Sequence, residues 1–258
     1  MRVAPALRDA QERATPSLVP YVLVDRGRRT RLPAIIESLA RGGSTAVELG
    51  FPFSDPIADG PTLAAASARA LHHGTRWSDL VEAVRVTSSR LPCAVMTYAN
   101  PVWSRGLDRA LRELAGAGAS ALIVSDLSFE ESEPWRRSAR TAGVDLVLMA
   151  APGATPDRVE RIAERSRAFL YLVSRYGTTG AGRPAHGLRS LVESAHRAAP
   201  RLPVLVGFGV RDRATADAAR WTGADGVIVG SALEERLARR DSRVSLERWL
   251  ASLTRSAR

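Results

Sequence analysis

Eight short runs of apolar, strand-favouring residues recur along the chain, each bounded by turn-forming residues. They begin near Pro20, Ala46, Cys93, Ala121, Asp145, Phe169, Pro203 and Gly226. The runs are apolar throughout instead of alternating, the pattern of strands covered on both faces in a parallel sheet. Between them, apolar residues fall three and four apart, as in Leu32, Ile35, Ile36, Leu39 and in Leu107, Leu111, Leu114, which predicts amphipathic helices. Thr155-Pro156-Asp157 supplies a capping hydroxyl, a first-turn proline and an acid at a helix start. Gly118-Ala119-Ser120 and Gly223-Ala224-Asp225 end helices and lead into strands. Eight strand–helix units in a chain of 258 residues predict one α/β domain over 1–258, a single (β/α)₈ TIM barrel, since a doubly wound sheet would normally show fewer strands. Residues 1–18 are expected to form a short helix across its lower end.

The spacing of the runs locates the functional end. Most starts lie 23 to 28 residues apart, but Ala46 to Cys93 is 47 and Phe169 to Pro203 is 34. The extra length follows strands 2 and 6 (50–62 and 174–187) at their carboxyl ends, where barrels build active sites. Both segments are rich in Gly, Pro, Asp and Thr, so both are expected to be extended loops over a site.

Composition narrows the chemistry. All 37 basic residues are arginine, so a Schiff-base lysine, a PLP-anchoring lysine and a phosphate-loop lysine are excluded. One cysteine rules out an intrachain disulfide, and with four histidines it argues against a Cys/His zinc cage. The net charge of +10 is spread along amphipathic segments, with denser clusters at Arg26–Arg31 and Arg236–Arg243. Only 14 aromatic residues are present and they do not interleave with those clusters, which argues against nucleic-acid binding. Nothing approaches a membrane span. The first twenty residues lack the apolar run of a signal peptide, so a cytoplasmic protein is expected.

Two acids and three glycine sites point to the mouth of the barrel. Glu48 sits inside the apolar run Ala46-Val47-Glu48-Leu49-Gly50, where a carboxylate faces a desolvation penalty unless it is paired, protonated or used. It is read either as a functional acid with a raised pKa or as a residue satisfied by backbone amides or an arginine. Asp59 follows in Phe51-Pro52-Phe53-Ser54-Asp55-Pro56-Ile57-Ala58-Asp59-Gly60-Pro61, a segment stiff enough to return it over the barrel and complete an acid/base pair. Asp55 also fits plain turn chemistry. Gly207-Phe208-Gly209 and Gly230-Ser231-Ala232 follow strands 7 and 8, with Gly180 in the loop after strand 6. Their convergence suggests a phosphate site of main-chain N–H groups at a helix start, although turn geometry alone also accounts for each glycine. His72-His73 reads as a solvated helix end.

The run Glu48-Leu49-Gly50-Phe51-Pro52-Phe53-Ser54-Asp55-Pro56, followed by Ala58-Asp59-Gly60-Pro61, resembles the signature of the tryptophan synthase alpha chain family. The likeness continues through Met96-Thr97-Tyr98-Ala99-Asn100-Pro101, Ser174-Arg175-Tyr176-Gly177-Thr178-Thr179-Gly180, Gly207-Phe208-Gly209-Val210 and Gly230-Ser231-Ala232. The resemblance implies a TIM barrel that cleaves indole-3-glycerol phosphate to indole and glyceraldehyde 3-phosphate by a retro-aldol step, with no cofactor of its own. It implies Glu48 as general acid/base, Asp59 as acceptor of the indole N–H, and Tyr171 as the active-site tyrosine. Gly180, Phe208, Gly209, Gly230 and Ser231 match the phosphate positions, and Tyr21, Met96, Ile123 and Met149 the indole pocket. Thr179 matches the threonine that helps close the site. The implied partner is a PLP-dependent beta chain in an α₂β₂ heterotetramer, contacted by Pro52, Asp55 and Asn100.

The chain also departs from the family pattern. Val24-Asp25-Arg26-Gly27-Arg28-Arg29 replaces the usual Gly-Asp-Pro after strand 1, and Ala64 a usual glutamine. Leu127-Ser128 after Asp126 lacks a usual proline, and Gly153 replaces threonine or asparagine. Two other readings are therefore carried: a paralogue that releases indole without a beta chain, and a weakly catalytic barrel that serves as an allosteric partner.

Overall fold

The computed structural model describes residues 1–151, 153–173, 187–207 and 209–254. Eight parallel strands close in chain order into one barrel, as predicted. They are β1 (Ser17–Leu23), β2 (Val47–Gly50), β3 (Cys93–Thr97), β4 (Ala121–Val124), β5 (Asp145–Ala150), β6 (Leu170–Val173), β7 (Val204–Gly207) and β8 (Gly226–Val229). β1 begins three residues earlier than the sequence suggests, with Pro20 inside it. The missing proline N–H is harmless there, because Pro20 lies just ahead of the β1–β2 ladder, which starts at Tyr21↔Glu48.

The described helices are α1 (Val3–Glu12), α2 (Leu32–Arg41), α3 (Pro61–His72), α4 (Trp77–Ser88), α5 (Ala99–Arg105), α6 (Leu107–Ala117), α7 (Ser132–Ala142), α8 (Pro156–Arg165), α9 (Leu188–Ala198), α10 (Arg213–Arg220), α11 (Ser231–Ala238) and α12 (Arg243–Thr254). A 3₁₀ turn, Arg26–Arg31, precedes α2. α8 starts as predicted, with the Thr155 hydroxyl accepting the Arg158 N–H. α6 ends on Gly118 in the left-handed region, at φ 109°. The long interval after β2 holds a loop over 51–60 and two helices, α3 and α4, where one is usual. The segment after β6 lies outside the described residues.

Strand alternation sorts the core into two layers. Leu18, Val22, Val47, Leu49, Cys93 and Val95 face outward and are buried under the helices. Val19, Tyr21, Leu23, Ala94, Met96, Ile123, Val147, Phe169, Tyr171, Leu205 and Ile228 fill the barrel itself. α1 stoppers the lower end with Val3, Ala4 and Leu7 in that inner layer, and its first N–H donates to the Ser120 hydroxyl at 2.9 Å. Cys93 is fully buried, and burial pushes its thiol well above the usual range.

The arginines mostly serve the surface. Arg41 pairs with Glu37, Arg158 with Glu130 and Arg197 with Glu160, while Arg236 bonds Asp241 at 2.7 Å and stacks over Trp249. Among the described residues no helix is long and apolar enough to cross a membrane.

Candidate active site

Strand parity aims Glu48 inward: Val47 and Leu49 belong to the outer layer, so the residue between them faces the barrel interior. Glu48 is 0% exposed, and neither carboxylate oxygen accepts a hydrogen bond from any described residue. The alternative of a glutamate satisfied by backbone amides or an arginine therefore fails among these residues. Burial, reinforced by the charge of Asp59, pushes its pKa up to about 8. An acid in this state keeps its proton at neutral pH.

The loop over 51–60 brings Asp59 to the same place. Ser67 of α3 fastens the loop by accepting the Phe53 N–H and donating to the Phe53 carbonyl, both at 2.9 Å. Asp59 N–H donates to Pro56 O at 2.9 Å, which folds the segment back over the barrel. Burial raises Asp59 to about 6, and a hydrogen bond from Tyr98 opposes the rise. At neutral pH the pair is thus one protonated and one ionised carboxyl, the separation that acid/base work needs.

Tyr98 is the residue the sequence reading passed over, although it stands inside a quoted motif. Its hydroxyl accepts the Ala58 N–H at 3.1 Å and donates to the Asp59 carboxylate. Its ring stacks on Phe53 with centroids 5.1 Å apart. One side chain at the end of β3 therefore fixes both the backbone and the acid of the loop after β2. The signal available was a tyrosine directly after a strand, at the catalytic end.

Tyr21 and Tyr171 lie across the mouth from either side. Burial raises the hydroxyl of each, reinforced at Tyr21 by the charges of Asp59, Glu234 and Glu48 and at Tyr171 by those of Glu48 and Asp59, so both tyrosines face the acid pair. Each lies against a glycine of the neighbouring strand. A Cβ at Gly50 would stand 2.0 Å from the Tyr21 hydroxyl, and one at Gly207 2.3 Å from that of Tyr171. Met96, Ile123 and Met149 point into the same interior.

On the far rim, Gly209, two residues beyond the end of β7, takes a positive φ of 90°. Gly230 is the N-cap of α11 and Ser231 its first residue. Tyr21 Cβ and Leu63 Cδ1 approach to 3.6 Å of the space a Gly230 side chain would occupy, so this helix start opens onto the tyrosine and the helix that follows the acid loop. Phe208, Thr179 and Gly180 lie outside the described residues.

A profile of the tryptophan synthase alpha chain matches residues 7–256. The chain belongs to the tryptophan synthase alpha chain family. The alpha chain of Methanosarcina acetivorans is 38% identical over 230 residues, covering 89% of this chain and 84% of that one. Among solved structures, tryptophan synthase of Mycobacterium tuberculosis superposes with a TM-score of 0.87 at 35% identity, covering 98% and 96% of the two chains. A chain of the tryptophan synthase α₂β₂ complex of Pyrococcus furiosus superposes with a TM-score of 0.82 at 31% identity, covering 93% and 98%. Of the three readings drawn from the sequence, membership of the alpha chain family favours the first.

The residues implied as partner contacts divide in this alpha-family chain. Asp55 and Asn100 are exposed, whereas Pro52 is buried. Beside them stand two large exposed apolar side chains, Ile57 in the acid loop at 83% and Trp103 on α5 at 53%. Among the described residues no group of three or more His, Cys, Asp or Glu is placed to hold a metal.

Proposed function

We propose that this chain cleaves indole-3-glycerol phosphate to indole and glyceraldehyde 3-phosphate. The observation that carries the reading is a buried Glu48 with no hydrogen-bond partner among the described residues, raised to about 8 by burial and by the charge of an Asp59 that is itself raised only to about 6. Glu48 gives its proton to the indole ring carbon that bears the side chain. The ring becomes a cationic indolenine, and the ionised Asp59 holds its N–H and balances the positive charge. The Glu48 carboxylate then takes the proton of the adjacent side-chain hydroxyl. As that C–O becomes a carbonyl, the carbon–carbon bond breaks and its electron pair returns to the ring. Indole and the aldehyde are released and Glu48 is again protonated. The indolenine is itself the electron sink, which suits a chain with no lysine.

In this reading the inner-layer residues Tyr21, Met96, Ile123, Met149 and Tyr171 flank the indole, with Gly209, Gly230 and Ser231, joined by Gly180 and Phe208, at the phosphate. Thr179 helps to close the site and to position the aspartate of the acid loop. The chain requires no cofactor of its own. Its partner is a PLP-bearing beta chain, docked on the surface that holds Asp55, Ile57, Asn100 and Trp103; support comes from those exposed side chains and from the α₂β₂ assembly named for the Pyrococcus furiosus relative.

The test is indole release by wild type and Glu48→Gln, with and without an added beta chain. The substitution preserves volume and removes the proton donor, so a fall of roughly 10²- to 10⁴-fold is expected. A variant that keeps more than about a tenth of the wild-type rate overturns the role of Glu48.

A further inference from the structure

Glu234 stands in the first turn of α11 and is 1% exposed. Its Oε1 accepts the Leu23 N–H at 2.9 Å, and its Oε2 accepts Arg28 Nη1 at 2.6 Å. The Leu23 N–H is a remainder of barrel closure. Val24 N–H donates to Gly50 O on the β2 side, so the N–H one residue earlier faces β8. Pairing between β1 and β8 stops at Pro20↔Val229, and beyond it the chain turns into α11, with no strand carbonyl to meet Leu23. The Glu234 carboxylate takes that place and fastens the first turn of α11 to the end of β1.

A buried anion there affects any anion at the helix start. The N-terminus of a helix carries roughly half a positive charge, which attracts a dianion. An uncompensated carboxylate one turn away would cancel that attraction. Arg28, 13% exposed at its side chain, supplies the opposite charge. Arg28 is in turn held by its own segment. Asp25 accepts the Gly27 N–H at 2.8 Å, lies 3.8 Å from Arg28 Nε, and bonds His73 Nδ1 at 2.8 Å. His73 is the C-cap of α3, the helix that follows the Asp59 loop. The basic segment after β1 thus braces both α11 and α3.

We propose that Arg28 is a positioning residue for the phosphate end of the substrate. With Glu234 it forms an ion-paired clasp that holds the start of α11 against β1 and offsets the Glu234 charge, which leaves the amides of Gly230 and Ser231 to a phosphate dianion. This inference rests on the phosphate site proposed above.

Calorimetric binding of glycerol 3-phosphate, glycerol and indole to the purified chain tests it. Wild type should prefer glycerol 3-phosphate to glycerol; equal binding of the two overturns the phosphate site, and the clasp with it. Given that preference, Arg28→Gln should weaken glycerol 3-phosphate roughly fivefold to tenfold, the size of a helix-terminus charge effect, and leave indole affinity unchanged. The double variant Arg28→Gln/Glu234→Gln removes the carboxylate nearest the helix start together with its counter-charge and keeps an acceptor for Leu23, so it should return to within about threefold of wild type. Unaltered phosphate affinity in Arg28→Gln overturns the clasp alone. So does a folded double variant as weak as the single one. If Arg28→Gln does not fold, the double variant decides: near wild-type phosphate binding supports the clasp and weak binding overturns it.

Discussion

Asp59 and Glu48 are raised unequally: burial and the Asp59 charge lift Glu48 to about 8, whereas burial lifts Asp59 only to about 6, against a hydrogen bond from Tyr98. The difference lies in the surroundings. Glu48 is sealed inside the barrel with no donor among the described residues, while Asp59 sits in a loop beside a tyrosine hydroxyl. Activity as proposed needs Asp59 ionised and Glu48 protonated. We therefore expect kcat/KM to rise as pH passes about 6 and to fall as it passes about 8, the two limbs belonging to the coupled pair. A pH–rate profile flat from 7 to 9.5 would contradict this assignment.

Tyr98→Phe should move only one of those limbs. Phenylalanine keeps the stack on Phe53 and removes the hydroxyl that holds Asp59 down. The acid limb is expected to shift to higher pH, with kcat lowered by roughly 10- to 100-fold at neutral pH, the size of a lost hydrogen bond to a charged group. An acid limb that does not move would show that Tyr98 acts only as packing.

The buried acid should also be visible in stability. A carboxyl whose folded pKa lies above its unfolded value stabilises the fold below about pH 4.5, and that contribution is lost as pH rises toward 8. Glu48→Gln cannot ionise, so its advantage over wild type should grow between pH 5 and pH 9. Its magnitude is on the order of 3 kcal/mol or more. Thermal unfolding of the two proteins across that range measures it, and parallel Tm curves would count against a buried, protonated Glu48.

Gly50→Ala tests how tightly the mouth is packed. The new methyl would meet Tyr21 Oη at 2.0 Å and its ring carbons soon after. The tyrosine must leave its place, so a destabilisation of about 1 to 3 kcal/mol is expected, together with weaker indole binding. Denaturant unfolding and indole titration report the two effects. A variant as stable as wild type with unchanged indole affinity would mean that Tyr21 yields freely.

What the sequence disclosed and what it withheld follow from the range of the interactions. The strands were readable because each is covered on both faces and so cannot alternate; Pro20 alone misplaced a boundary. Glu48 was readable because a carboxylate in an apolar strand is anomalous in its own neighbourhood. Tyr98 was not, since its partners Ala58 and Asp59 reach it only when two loops meet above the barrel. The role of Arg28 was hidden in the same way. It looked like one of several surface arginines, and only closure of the barrel brings it to Glu234, 206 positions away.

The burial of Cys93 has a practical consequence. The only thiol of the chain is sealed between strand and helix, and the sequence offers no lysine amine. A cysteine introduced at Ile57, in the acid loop, would then be the one exposed thiol of the native protein, open to a thiol-selective reagent. A fluorophore attached there would report movement of that loop without background labelling. Slow reaction of Cys93 in the unmodified chain would serve as a clock for opening of the barrel wall.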